Sequence, residues 1–231
     1  MPADRYERDT SNYDRALSFF DVVYGFSLTL LVTTLDVTDE RAWRSPGELL
    51  RTNGSQAFSF ALSFVVIVVF WRSNHALVAR FTALDPPVIA ANVVVAFFVV
   101  FIPFTTEAMG DPDLQDLALP TALYAVNVGL AVLANVAMFH VAVVRGLVED
   151  GEPPAARRAR TLDALVVPAV MFASVPVTYL GVDRWGDATA GKLVWLSLVV
   201  LGPLSSRLAE RRAARAVADQ RRAGDGGPPT S

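Results

Sequence analysis

Apolar residues in this chain arrive in six long blocks, at about 17–37, 56–76, 87–108, 119–146, 162–182 and 190–208. Each is close to the ~20 residues a helix needs to cross about 30 Å of hydrocarbon. A soluble domain of 231 residues would instead show amphipathic helices or alternating strands. A membrane β-barrel would need short alternating segments of ~10 residues, and the sequence has none. The blocks predict an all-α, polytopic membrane protein with six transmembrane helices per subunit.

Charge gives the orientation. If the N-terminus is cytoplasmic, the inside segments hold fifteen Lys and Arg: Arg5, Arg8, Arg15, Arg72, Arg80, four from Arg145 to Arg160, and six from Arg207 to Arg222. The outside segments hold five, namely Arg41, Arg44, Arg51, Arg184 and Lys192. The positive-inside rule then places both termini in the cytoplasm of a multi-pass protein of the cell membrane. The loop MGDPDLQDL, with no basic residue, fits the outer side. The start, MPADRYERDTSNYD, lacks the basic leader and cleavage site of a signal peptide, so the first block is expected to stay in the mature protein. Three regions result: a cytoplasmic segment 1–16, a six-helix domain 17–208, and a basic tail 209–231. The tail's RLAERRAARAVADQRR is predicted to continue the sixth helix as a stop-transfer anchor, with anionic-lipid binding as the alternative, and GDGGPPTS is predicted to be disordered.

Several chemistries are excluded. The net charge of −3 gives nothing global to attract nucleic acid, and the absence of cysteine removes disulfides and thiolate metal sites. His75 and His140 are the only histidines, and no HExxH, nucleophile elbow or glycine-rich phosphate loop is present. The expectation is no enzyme activity, no cofactor and no resident metal. The carbonyl filter sequence TVGYG is absent too, and Val23–Phe26 is only a superficial echo of it. Local signals are clearer. Asp85 is a predicted N-cap before Pro86 and Pro87, Pro103 should kink the third helix, and Pro168 and Pro176 interrupt the fifth.

The first block carries two acids, Asp21 and Asp36, which are expensive in a bilayer and therefore functional candidates. On a helical wheel at about 100° per residue, with Phe26 at zero, Leu30 falls at about +40°, Thr33 at about −20° and Val37 at about +20°. These four form one narrow stripe, which either lines a pore or packs helix to helix. Asp36 flanks it at about −80°, while Asp21 falls at about −140°, facing away. Val22 is expected to face lipid. Asp21 needs a partner at the inner end, where FWRSNH, Phe70–His75, closes the second helix. The expected arrangement is an Asp21–His75 contact with Arg15 folding back and Trp71 packing beside it; the alternative is that Asp21 simply reaches interfacial water.

These residues carry a resemblance. Arg15-Ala-Leu-Ser-Phe19-Phe20-Asp21 is similar to the RxxxFSD signature opening the first helix of the endosomal/lysosomal potassium channel family (transmembrane protein 175 type). GFSLTLLVTTLDV resembles that family's AIAITLLVLEI continuation, FWRSNH its WxxHH segment, and NVVVAFFVVFIPFTT its third-helix N…LPFxT pattern. The resemblance covers about residues 15–107. Phe20 stands where the signature has serine, and Asn74 where it has the first of paired histidines. Membership implies a homotetramer, a pore lined by four copies of the first helix, and passage of potassium, with other monovalent cations or protons as alternatives. It also implies selection by an apolar constriction and nearby hydroxyls, with Phe26, Leu30 and Thr33 at the pore-facing positions. Asp36 would then sit at the outer mouth, as a cation-concentrating acid or an ordinary helix-end residue. Membrane lipid is the other expected partner. A proton-coupled or other secondary transporter and a non-conducting scaffold are the rival classes.

Overall fold

The structure, a computed structural model, describes residues 5–36, 38–40, 42–149 and 152–225. A two-residue strand β1 (Tyr6–Glu7) precedes helix α1 (Ser11–Leu30), which runs on as a 3-10 turn over Leu31–Thr34. Helix α2 (Pro46–Val78), strand β2 (Ala83–Leu84), and helices α3 (Pro86–Gly110) and α4 (Ala118–Val144) follow. The remainder is α5 (Pro154–Ala164), α6 (Val166–Trp185), α7 (Thr189–Trp195) and α8 (Ser197–Asp225). Among the described residues, six spans are long and apolar enough to cross a membrane: Ser11–Thr34, α2, α3, α4, Pro154–Trp185 and Thr189–Gln220.

Helix starts follow local chemistry. Thr10, Ser45 and Asp85 each accept a backbone N–H three residues on, and Asp85 does so from Val88 at 3.1 Å, as its sequence position predicts. Because Thr10 caps α1, the helix begins at Ser11, several residues before its apolar block. Pro168 cannot donate to the carbonyl of Ala164 and its ring crowds that oxygen, so the fifth span divides at Leu165. Gly186, at φ 76°, ends α6 in the left-handed conformation that glycine adopts without strain. Gly191 lets α7 lie against α6, since a Cβ there would meet the Thr178 hydroxyl at 1.8 Å.

Within lipid, apolar contact adds little drive for helix association, so small residues and hydrogen bonds carry much of it. Helix α3 packs on α1, α2 and α4. Two buried polar clusters join α2, α3 and α4. The Thr106 hydroxyl lies 2.7 Å from that of Ser63, which lies 3.1 Å from the fully buried Tyr124 hydroxyl. Asn74 of α2 donates to Asn92 of α3 at 3.0 Å and to Asn135 of α4 at 3.2 Å.

The two ends of the bundle are tied separately. At one end β1 pairs antiparallel with β2, Phe81 bridges Val148, and Arg8–Glu149 and Arg145–Asp85 ion pairs hold the loops. At the other end Asp36 meets Gln56, Ala188 donates to Gln115 O at 3.2 Å, and Lys192 donates to Met109 O at 3.2 Å. The loops assigned by charge to one side of the membrane thus gather at one end. The basic stretch of the tail is helical as far as Asp225; the remainder lies outside the described residues.

Candidate functional site

Helix α1 has two unlike faces. Tyr13, Phe20, Tyr24 and Ser27, continued by Leu31 and Thr34, are buried against the rest of the chain at helical spacing. The other side holds Phe19, Val22, Phe26 and Leu30, all exposed, with Phe26 66% and Leu30 47% accessible. Thr29 and Thr33 are exposed beside them. Three of the predicted stripe residues, Phe26, Leu30 and Thr33, therefore share a face that this chain does not cover. The fourth, Val37, lies outside the described residues.

The change to a 3-10 turn sharpens the stripe. At about 120° per residue, positions i and i+3 eclipse, so Thr33 moves into line with Leu30 from the offset a regular helix would give. The Thr33 hydroxyl donates to Leu30 O at 2.7 Å, and that of Thr29 to Phe26 O at 2.8 Å. Each hydroxyl proton is engaged within the helix, leaving the oxygen lone pairs as what the side chain can offer a ligand. Oxygen lone pairs suit hard cations.

Three expectations need correction. The wheel fails for Asp36, because the 3-10 turn ends at Thr34 and Leu35 is already extended. Asp36 sits in a turn, accepting from Thr38 N at 2.8 Å and from the Thr38 hydroxyl at 2.7 Å. Those bonds, the hydroxyl's first, hold its carboxyl below the ordinary range, so it stays ionised into more acid solution. Val22 lies one turn before Phe26 on the exposed face, at about −40° on the same wheel, and is not set apart from the stripe. Asp21 is bonded by Trp71, whose Nε1–H donates to its carboxylate at 2.9 Å, and not by His75. Among the described residues no hydrogen bond or ion pair joins Asp21 to His75 or to Arg15. The indole is the donor because it projects from α2 one turn before His75, whose ring stands 6.0 Å from it, centroid to centroid.

The two departures from the family pattern have structural consequences. Phe20 is buried and packs edge-on against Phe19 at 5.4 Å between centroids, so an apolar contact occupies the signature's hydroxyl position. Asn74 anchors the amide cluster with Asn92 and Asn135.

Other members of the site were not anticipated. Asn53 donates to Asp36 O at 2.6 Å, and Gln56 accepts from Asp36 N at 3.0 Å, clasping the segment that follows α1 to α2. Their signal was present in the polar run Arg51–Gln56 opening an apolar helix. Among the described residues no group of three His, Asp or Glu side chains is placed to hold a metal ion.

Comparison with known proteins bears on this segment first. Residues 15–103 match the model of the endosomal/lysosomal potassium channel TMEM175 family. Over those residues the chain is similar in sequence to TMEM175 channels. A potassium channel of Chryseobacterium sp. strain P1-3 is 22% identical to it over 120 residues, 52% of this chain and 59% of that one. The match thus spans less than two thirds of that relative's length. The crystal structure of a TMEM175 homologue from Chamaesiphon minutus, titled a lysosomal potassium-selective channel homologue, superposes with a TM-score of 0.61 at 20% identity. That likeness covers 88% of this chain and 99% of the other, so the similarity of fold extends well beyond residues 15–103.

Proposed function

We propose that the chain forms a homotetrameric, potassium-permeable cation channel in the cell membrane, with both termini cytoplasmic and the α1 face of Phe26, Leu30 and Thr33 turned to a central axis. The observation that carries this is the division of α1: one face packs on α2 and α3, and the other, bearing two threonine hydroxyls in an apolar stripe, is left uncovered. Hydrocarbon has no use for outward oxygen lone pairs, whereas a permeating cation does. The TMEM175 match over residues 15–103 supports the same assignment.

In a four-fold arrangement, Leu30 side chains form an apolar ring that gates by dewetting, and Thr33 oxygens in the adjacent layer partly replace the hydration shell of the ion. Asp36, ionised and clasped by Asn53 and Gln56, raises the local cation concentration at the outer mouth. Asp21, bonded to Trp71, ties the inner half of α1 to α2, and among the described residues neither Arg15 nor His75 is bonded to it.

The direct test is reconstitution into liposomes with potassium and sodium efflux measured separately. Potassium flux exceeding sodium flux supports the proposal. A flux that requires a proton gradient instead points to the transporter, and no flux of either ion to the scaffold.

A further inference from the structure

Two recesses lie on the faces of α5, and their charge differs. The larger, about 770 Å³ between α5 and α8, is lined by Arg80 and Arg160 but also by Glu152 and Glu210. Its basic groups are answered within the chain, because Arg80 and Arg160 both pair with Glu152. The smaller, about 220 Å³, is lined by His140 of α4 and by Pro154, Arg157, Arg158 and Thr161 of α5. No acid lines it. Arg157 is half-buried and its Nε is buried with no hydrogen-bond partner, and among the described residues neither Arg157 nor Arg158 forms an ion pair.

We propose that the recess of His140, Arg157 and Arg158 is a phosphate-binding site, for a phosphate carried by a lipid headgroup or by a soluble anion. A buried guanidinium N–H without an acceptor is a rare and unfavourable state that a bound oxyanion relieves. Two adjacent arginines supply the forked, charge-assisted donors that phosphate oxygens match best. The size fits: 220 Å³ is room for roughly seven waters at about 30 Å³ each, ample for a phosphate and part of its ester. The His140 Nδ1–H donates to Val136 O at 2.9 Å, so the ring is held as a wall and its proton is used within α4. The position also suits a membrane phosphate. His140 lies one turn before the end of α4, and α5 leads directly into the apolar part of its span. The lipid source rests on the orientation proposed above, and the recess itself does not.

Binding can be read by the thermal midpoint of the detergent-purified full chain titrated with short-chain phosphatidylglycerol and, separately, with inorganic phosphate. Neither titration involves conduction or sidedness, so its failure is distinct from failure of the channel proposal. Each arginine removed should weaken binding of an anionic partner roughly fivefold, so R157Q/R158Q should bind roughly thirtyfold more weakly. R158Q alone, at an exposed position, tests the site even where the double variant fails to fold. R184Q, near the opposite end of the bundle, should bind as the parent does. Stabilisation by the lipid alone assigns the site to a headgroup, and stabilisation by inorganic phosphate as well assigns it to phosphate in general. Absence of binding by either, retention of binding in R158Q and the double variant, or equal weakening in R184Q would overturn the proposal.

Discussion

Leu30 and Leu31 are neighbours in the chain with opposite surroundings. Leu31 is fully buried among α2 and α3 residues, while Leu30 is 47% accessible on the uncovered face. One hundred degrees of helical rotation, roughly, separates a residue that holds α1 in the bundle from one assigned to the ion path. The same contrast runs the length of α1, with Tyr13, Phe20, Tyr24 and Ser27 on the first side and Phe19, Val22 and Phe26 on the second. The buried side is complete within one chain. The other side is apolar but studded with threonines, and its hydroxyls, unlike those of Ser27 and Thr34 on the buried side, are exposed.

Substitution should separate the two faces. Leu31→Ala should lower stability by about 2–5 kcal/mol, the range for a buried leucine truncated with partial collapse of the site. A thermal or denaturant melt checks this, and a parent-like melt would mean that the buried side is not what holds α1. Asp21→Ala removes the acceptor of the Trp71 indole. Because Asp21 is exposed, the loss should be near the lower end for a charged hydrogen bond, about 1.5 kcal/mol, with ion preference unchanged. A large shift in preference at constant stability would move Asp21 onto the ion path. Thr33→Val keeps the volume and deletes one local hydrogen bond, for a stability change within about 1 kcal/mol. Potassium-over-sodium preference in bi-ionic recordings should fall; an unchanged preference would leave the Thr33 oxygen without a role in selection.

Much of this contrast was legible in the sequence, for specific reasons. Six blocks of membrane-spanning length define the fold without any long-range information, and Asp85-Pro86-Pro87 marks the start of α3. The spacing of Phe26, Leu30 and Thr33 survives because a 3-10 turn still brings i+3 round to the same side. The end of α1 was not legible, since LVTTLDV continues an apolar run without a glycine or proline. What fixes the chain at Asp36 is the pair Asn53 and Gln56, which belongs to another helix. Asp21 shows the same limit. Sequence places two donors, Trp71 and His75, one turn apart on α2, and only the packing of α1 against α2 selects the indole. Val22 is different: its place one turn before Phe26 was available from the wheel, and the accessible face includes it.

The central claim is that the uncovered face of α1 surrounds the ion path, with Leu30 at its narrowest apolar ring. Single-channel conductance of Leu30→Ala, beside the parent and Val200→Ala on the exposed side of α8, tests it most directly. Replacing four leucines around an axis widens the ring and removes much of the dewetting barrier. Conductance of Leu30→Ala should therefore rise while Val200→Ala stays at the parent value. If Leu30→Ala conducts as the parent and the α8 variant do, the ion path does not run along this face.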